Sequence, residues 1–189
     1  FYAAAALPQT LWERLENVAV RELGQRVMMI SAWGSTETAP LATTVHFEID
    51  RAGVMGLPVP GTEIKMVPNA GKLEIRVRGP NITPGYYKRP DLTEEAFDED
   101  GFYCIGDAVK LADPEDASQG VIFDGRVAED FKLLTGSWVS AGAIRVAAIA
   151  AGEPMIQDAV VTGHDRDEIG LFVFPNAAGM AQVAGLATD

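Results

Sequence analysis

The stretch "AWGSTETAP", residues 32–40, follows the apolar run "VMMIS" and gathers an indole (Trp33), a glycine (Gly34), three hydroxyls (Ser35, Thr36, Thr38) and one carboxylate (Glu37). Glycine lets a backbone and a ligand approach closely. Hydroxyls beside a carboxylate suit a phosphate and its magnesium ion, because Mg2+ takes hard oxygen ligands and shares them with substrate phosphates. The Trp33 ring offers a flat face for a base. A strand end closed by a local hydroxyl cap reads the same way.

A second place is "YCIGD", residues 103–107. Gly106 puts Asp107 at a bend, where a carboxylate can accept two hydrogen bonds from a sugar diol. Gly-Asp is also an ordinary turn pair. A third is "GRVAEDFKLLTG", residues 125–136, with the cations Arg126 and Lys132 around Glu129 and Asp130. A solvated charged linker fits that string as well. The phosphate-loop and dinucleotide glycine patterns do not occur.

The elements that must position these groups follow from pattern. Leu11, Leu15, Val18, Ala19 and Leu23 form a helical stripe from Thr10 to Gly24. "RVMMISAW" reads as a short buried strand of an α/β layer. From Val54 onward the texture is turn and strand. In "KLEIRVR", Leu73, Ile75 and Val77 face one way and Lys72, Glu74, Arg76 and Arg78 the other, the antiparallel style. "PDLTEEAF" predicts a short helix with Asp91 and Glu94 at capping-box spacing. "DEDGFYCIGD" and "GVIFDGRV" predict two more strands. Past residue 129, Ser140 is placed to cap the helix "AGAIRVAAIAA", and "MIQDAVVTG" and "IGLFVFP" form two strands around "HDRDE". The tail "NAAGMAQVAGLATD" is weakly patterned.

The 189 residues carry 27 acids against 15 bases, a formal charge of −12, which argues against nucleic acid as a partner. The single cysteine, Cys104, allows no intrachain disulfide and suits a reducing, cytoplasmic compartment. His46 and His164 lie far apart, so a zinc site finds no support. No apolar run approaches the roughly 20 residues that span a bilayer, so no membrane partner is expected. Oligomeric state is unreadable.

Taken together and in order, the three places resemble the adenylate-forming superfamily of acyl-CoA synthetases, peptide-synthetase adenylation domains and luciferases. "AWGSTET" is similar to that family's aromatic-Gly-x-Thr-Glu motif. "FYCIGD" resembles its aromatic-x-x-Gly-Asp motif, and "GRVAEDFK" with "GSWVSAGAI" resembles its Gly-Arg hinge segment and the loop beyond. "AAALPQ" resembles the segment that lines the adenine pocket, which brings in Ala5 and Ala6. "EDFKLLTGSWVS" and "QDAVVTGHDRDEIGLFVFP" look most like feruloyl-CoA synthases.

The resemblance implies ATP-dependent activation of an aromatic carboxylic acid, ferulate or a similar hydroxycinnamate, to an acyl-adenylate and then to its CoA thioester, using ATP, Mg2+ and coenzyme A. By the same likeness Trp33 lies beside the adenine, with Thr36 at the phosphate and Glu37 on magnesium, these last two as the catalytic pair, and Gly34 and Ser35 join the nucleotide set. Asp107 holds the ribose hydroxyls. Arg126 contacts ribose or phosphate, and Lys132 joins the nucleotide set. Glu129 or Asp130 is the hinge, and Gly136 lines the coenzyme A channel. Trp33, Asp107 and Arg126 must then share one cleft.

The implied architecture is α/β plus β-rich. Residues 1–128 would be the C-terminal part of the large AMP-binding domain, an α/β remnant with a distorted β-barrel subdomain. Residues 129–189 would begin a small α+β domain. Ile105 stands where the family often has threonine, and Arg145 where many members have an acid. The family's phosphate loop and C-terminal catalytic lysine do not occur in the string, so the chain is expected to be an internal piece, inactive alone. The rivals are activation of a fatty or benzoic acid, a carrier-protein acceptor, a non-catalytic nucleotide-binding module, and a β-rich interaction domain.

Overall fold

The computed structural model describes residues 1–3, 7–69 and 71–185. These divide into two compact units, Phe1–Val127 and Ala128–Asp189.

The first unit opens with β1 (Tyr2–Ala3), α1 (Gln9–Leu23) and β2 (Ser31–Trp33), and β1 pairs with β2 in parallel. α1 ends where Gly24 turns left-handed (φ 72°). Its apolar stripe is present, but Leu11, Leu15, Val18 and Leu23 are exposed among the described residues and only Trp12 is buried. Of the expected strand from residue 26, the described structure has Ser31–Trp33 as strand, paired with β1 at Ser31 and Ala32.

β3 (Thr43–Thr44), β4 (Val54–Pro58), β5 (Glu63–Asn69), β6 (Lys72–Arg78), β7 (Tyr103–Leu111) and β8 (Val121–Arg126) complete a sheet. Its order among the described residues is β1-β2-β3-β4-β8-β7-β6-β5, antiparallel from β2 onward. α2 (Pro90–Ala96) lies between β6 and β7 in the chain. The capping box expected there is absent. Arg89 occupies the N-cap, Pro90 is pre-set for the first helical position, and Asp91 is spent on Arg89 at 2.6 Å.

Ile75 and Val77 are fully buried, with Met55, Tyr103, Val109 and Val121 around them and Trp33 and Phe97 packed on that cluster. Each such aliphatic side chain contributes about 1.5–3 kcal/mol by leaving water. Glu74, expected to point outward, is also buried; it accepts from Arg76 at 2.8 Å, and Arg76 also reaches Asp98 at 3.0 Å. Asp98 pairs in turn with Lys65 at 2.8 Å. Gly56 (φ 81°) marks a crossing, since a Cβ there would sit 2.0 Å from the Thr44 carbonyl oxygen.

β2 and β7 are four places apart in the sheet, which is about 19 Å in a flat one. Yet a Trp33 side chain on β2 bonds an Asp107 side chain on β7 at 2.8 Å. The sheet therefore curls strongly upon itself, as a distorted barrel does.

The second unit holds β9 (Phe131–Lys132) and β10 (Trp138–Val139), a small antiparallel pair. α3 (Ala141–Ala151) follows and packs on β11 (Ile156–Thr162), which pairs antiparallel with β12 (Gly170–Pro175). α4 (Ala177–Val183) forms in the tail left unpatterned above; Asn176 caps it by accepting from the Gly179 N–H.

Candidate functional site

β2 ends at Trp33, and the backbone turns at once through a 3-10 segment, Thr36–Thr38. A Cβ on Gly34 would lie 2.0 Å from the Pro40 carbonyl oxygen and 2.5 Å from Thr38 Oγ1. The close approach that requires this glycine is thus made by the chain's own loop. Thr38, one of the three hydroxyls gathered in that stretch, is fully buried. Its Oγ1 accepts from the Ser35 N–H at 2.9 Å and donates to the Ser35 carbonyl at 3.0 Å. It fastens the turn, and Thr36 alone of the two threonines faces outward.

On β7, Gly106 (φ 79°) is a left-handed residue with open space beside it, and the pairing with β8 slips between Asp107 and Val109. The bulge aims Asp107 toward Trp33. The indole Nε1–H donates to Asp107 Oδ2 at 2.8 Å, and Arg126 Nε lies 3.3 Å from Oδ1, with Asp107 and Arg126 facing each other in register. The Asp107 side chain is 8% exposed and that of Arg126 58%. The desolvated carboxylate is therefore hydrogen-bonded at Oδ2 and faces the guanidinium as an ion pair at the buried Oδ1, and the guanidinium keeps most of its five-donor fork toward solvent. Three groups distant in sequence meet at one place.

Glu37 is half-buried and accepts on both oxygens, from Ser35 Oγ at 2.8 Å and from Tyr86 OH at 3.0 Å. The Tyr86 hydroxyl also lies 3.1 Å from that of Tyr103. The Ser35 hydroxyl, then Glu37's own backbone amide, hold this carboxyl below its ordinary range; Tyr86 and Tyr103 add to the effect and burial opposes it. Burial first, then the Tyr86 bond, pushes the Tyr103 phenol up, so it stays protonated. Sequence reasoning did not find Tyr86 and Tyr103. The repeated aromatic in "GYYKRP" was visible, but no periodicity tells which tyrosine turns inward. β7 carries both Tyr103 and Asp107, so one strand supports both carboxylates.

A single ionised carboxylate with hydroxyls beside it is a donor set that fits Mg2+, which takes one or two protein carboxylates and completes its shell with water and phosphate oxygens. Among the described residues no cluster of three or more His, Cys, Asp or Glu forms a metal cage.

Of the other expected residues, Ala5 and Ala6 lie outside the described ones. Lys132 is on β9, its ammonium 4.8 Å from the Trp138 ring centroid. Glu129 is exposed, while Asp130 accepts from the Ala141 N–H at 3.1 Å. Asp130 thus caps α3; Ser140 stands at the N-cap position but supplies no capping bond. Gly136 (φ 86°) makes the turn between β9 and β10. Ile105 packs against the core, where a threonine hydroxyl would need a partner. Arg145 pairs with Asp158 at 2.7 Å.

Residues 1–87 match the family described as AMP-binding enzyme. The chain is 30% identical over 164 residues to a chloroplastic long-chain-fatty-acid–[acyl-carrier-protein] ligase of Arabidopsis thaliana, covering 79% of this chain and 22% of that protein. It is 32% identical to the medium-chain fatty-acid–CoA ligase of Escherichia coli strain K12, covering 79% of this chain and 27% of that one. The chain thus spans about a quarter of the length of these relatives. Among solved structures it superposes on the A domain of a carboxylic acid reductase from Segniliparus rugosus, in complex with AMP and a co-purified carboxylic acid. That match has a TM-score of 0.71 at 26% identity, over 95% of this chain and 27% of the other. A malonyl-CoA ligase bound to methylmalonyl-CoA and AMP matches at TM-score 0.54 and 37% identity, over 93% of this chain and 38% of that one. The fold is therefore that of adenylation domains, and the likenesses support the adenylate-forming superfamily. Among the described residues no helix is long and apolar enough to cross a membrane.

Proposed function

We propose that this chain is part of an AMP-forming acid–thiol ligase of the adenylate-forming superfamily. Residues 1–128 would be the C-terminal part of its large AMP-binding domain and 129–189 the start of its small one. The observation that carries the reading is the meeting of Trp33, Asp107 and Arg126 around one buried carboxylate. An apolar ring, an anionic diol acceptor and an exposed guanidinium are what a nucleoside monophosphate needs from a protein.

In this reading a carboxylate oxygen of the acid attacks the α-phosphorus of ATP, the bond to the bridging oxygen breaks, and pyrophosphate leaves with that electron pair. The thiol of coenzyme A then attacks the acyl carbon, loses its proton, and AMP departs. The protein supplies no nucleophile. It positions the reactants and places charge where it develops. Trp33 presents its ring to the adenine, Asp107 accepts from the ribose hydroxyls, and Arg126 and the Thr36 hydroxyl face phosphate. Glu37, kept ionised by Ser35 and Tyr86, would hold magnesium, which supplies positive charge to the phosphate oxygens when bound. Lys132 completes the nucleotide set, Glu129 and Asp130 are assigned to the hinge, and Gly136 to the coenzyme A channel.

AMP titrated into the 189-residue chain by calorimetry tests the nucleotide site. Wild type should bind, and Asp107→Ala should weaken binding at least tenfold, the loss of charge-assisted hydrogen bonds. A wild-type chain that binds no AMP defeats the reading. We assign an aromatic acid, ferulate or a similar hydroxycinnamate. The names of the relatives favour a second reading, a fatty acid with coenzyme A or a carrier protein as acceptor. Pyrophosphate release and thioester formation by the complete enzyme, with each acid and each acceptor, separate the two. If Glu37→Gln leaves that turnover untouched, the magnesium assignment fails.

A further inference from the structure

We infer that Trp33 is a positioning residue for sugar recognition, because its indole N–H aims the Asp107 carboxylate. This rests on the nucleotide reading above and deepens it. A carboxylate at the end of an aspartate turns broadly about its last bond, since that torsion has no sharp staggered wells. A sugar hydroxyl needs the accepting oxygen held in one direction. In this site that direction is set from outside. Trp33 Nε1–H fixes Oδ2 at 2.8 Å, and Arg126 Nε stands 3.3 Å from Oδ1.

The two partners differ in stiffness. Arg126 is on a long, 58% exposed side chain. Trp33 is half-buried and packed against the core formed by Ile75, Val77 and Tyr103, so its donor is held where it is. Oδ1 is buried beside Arg126, so the sugar would be received on the Oδ2 side, at the oxygen that the indole holds. Phenylalanine at this position would keep a ring for the base and lose the donor. Trp33 therefore serves the base through its face and the sugar through its edge, the second by way of Asp107.

Two measurements on the 189-residue chain test this. In the first, wild type and Trp33→Phe are titrated with AMP and with 2′,3′-dideoxy-AMP. The substitution should weaken AMP about tenfold, as loss of a hydrogen bond to a charged group does. The dideoxy analogue, which has no diol to lose, should change by less than about twofold. Equal weakening of both ligands means that Trp33 acts through its ring alone, and overturns the positioning role while the nucleotide site stands. In the second, the Trp33 indole N–H is followed by NMR in the 15N-labelled chain. Asp107→Ala should shift that signal and speed its exchange with solvent, with Asp107→Asn as the milder variant if the first unfolds. An unmoved signal overturns the inference whatever the nucleotide data say. A bonded indole in a wild-type chain that binds no AMP sinks the positioning role together with the nucleotide reading.

Discussion

Glu37 shows how little of a residue's behaviour resides in the residue itself. Its two oxygens are occupied by a serine two positions earlier and a tyrosine 49 positions later. The folded pKa is lowered, first by Ser35. Its ionisation therefore stabilises the fold above the unfolded glutamate value of about 4.3, and that contribution is lost as pH falls through the folded value. Tyr86→Phe deletes one of the bonds that lower it. The Glu37 pKa should rise toward the ordinary value, seen as a shifted 13C carboxyl titration, and the chain should lose about 1 kcal/mol in urea unfolding. An unchanged titration would mean that Tyr86 does not reach Glu37 in solution. The "GST" before Glu37 announced a partner in the sequence; nothing in "GYYKRP" announced the other, because a contact between two distant loops leaves no local period.

At the scale of elements, the glycines separate two kinds of constraint that a sequence writes with the same letter. Gly56 and Gly136 are both left-handed, at φ 81° and 86°. A Cβ on Gly56 would strike the Thr44 carbonyl oxygen at 2.0 Å, whereas one on Gly136 meets nothing within 4 Å. Gly136→Ala should therefore cost only the backbone term, about 1 kcal/mol. Gly56→Ala must also part β3 from β4 and should cost about 4 kcal/mol; similar urea midpoints for the two would contradict the described crossing. Alternation made the hairpin of β5 and β6 legible, and glycine placed the end of α1. Misjudged were the places where long-range contact overrides local pattern. Glu74 alternates outward on paper but is drawn into the Arg76–Asp98–Lys65 network. Residues 26–30 are apolar enough for a strand but stand outside one in the described structure. α4 hides in alanines and glycines, whose small side chains carry little periodic signal. The cluster of Trp33, Asp107 and Arg126 came from the order of three motifs; no spacing rule forecasts that a sheet will curl far enough to join strands four places apart.

The whole chain combines a strong negative charge with uncovered apolar surface. β12, among the described residues, pairs only with β11 and exposes Leu171, Phe172, Val173 and Phe174. Such an edge has unpaired backbone donors and acceptors and no charged side chain to repel a second strand. At neutral pH the formal charge of −12 keeps copies apart. As pH falls toward the sequence pI of about 4.5, that repulsion disappears while the β12 edge is unaltered. Light scattering from the 189-residue chain should rise steeply on approach to that pH, and added salt should bring the onset to higher pH by screening the repulsion. Phe172→Ser changes no charge. If the edge is the contact, this variant should delay the onset and shrink the assemblies, whereas charge alone would leave the two curves superimposed. The same substitution should leave AMP affinity unchanged, because it removes none of the groups assigned to the nucleotide.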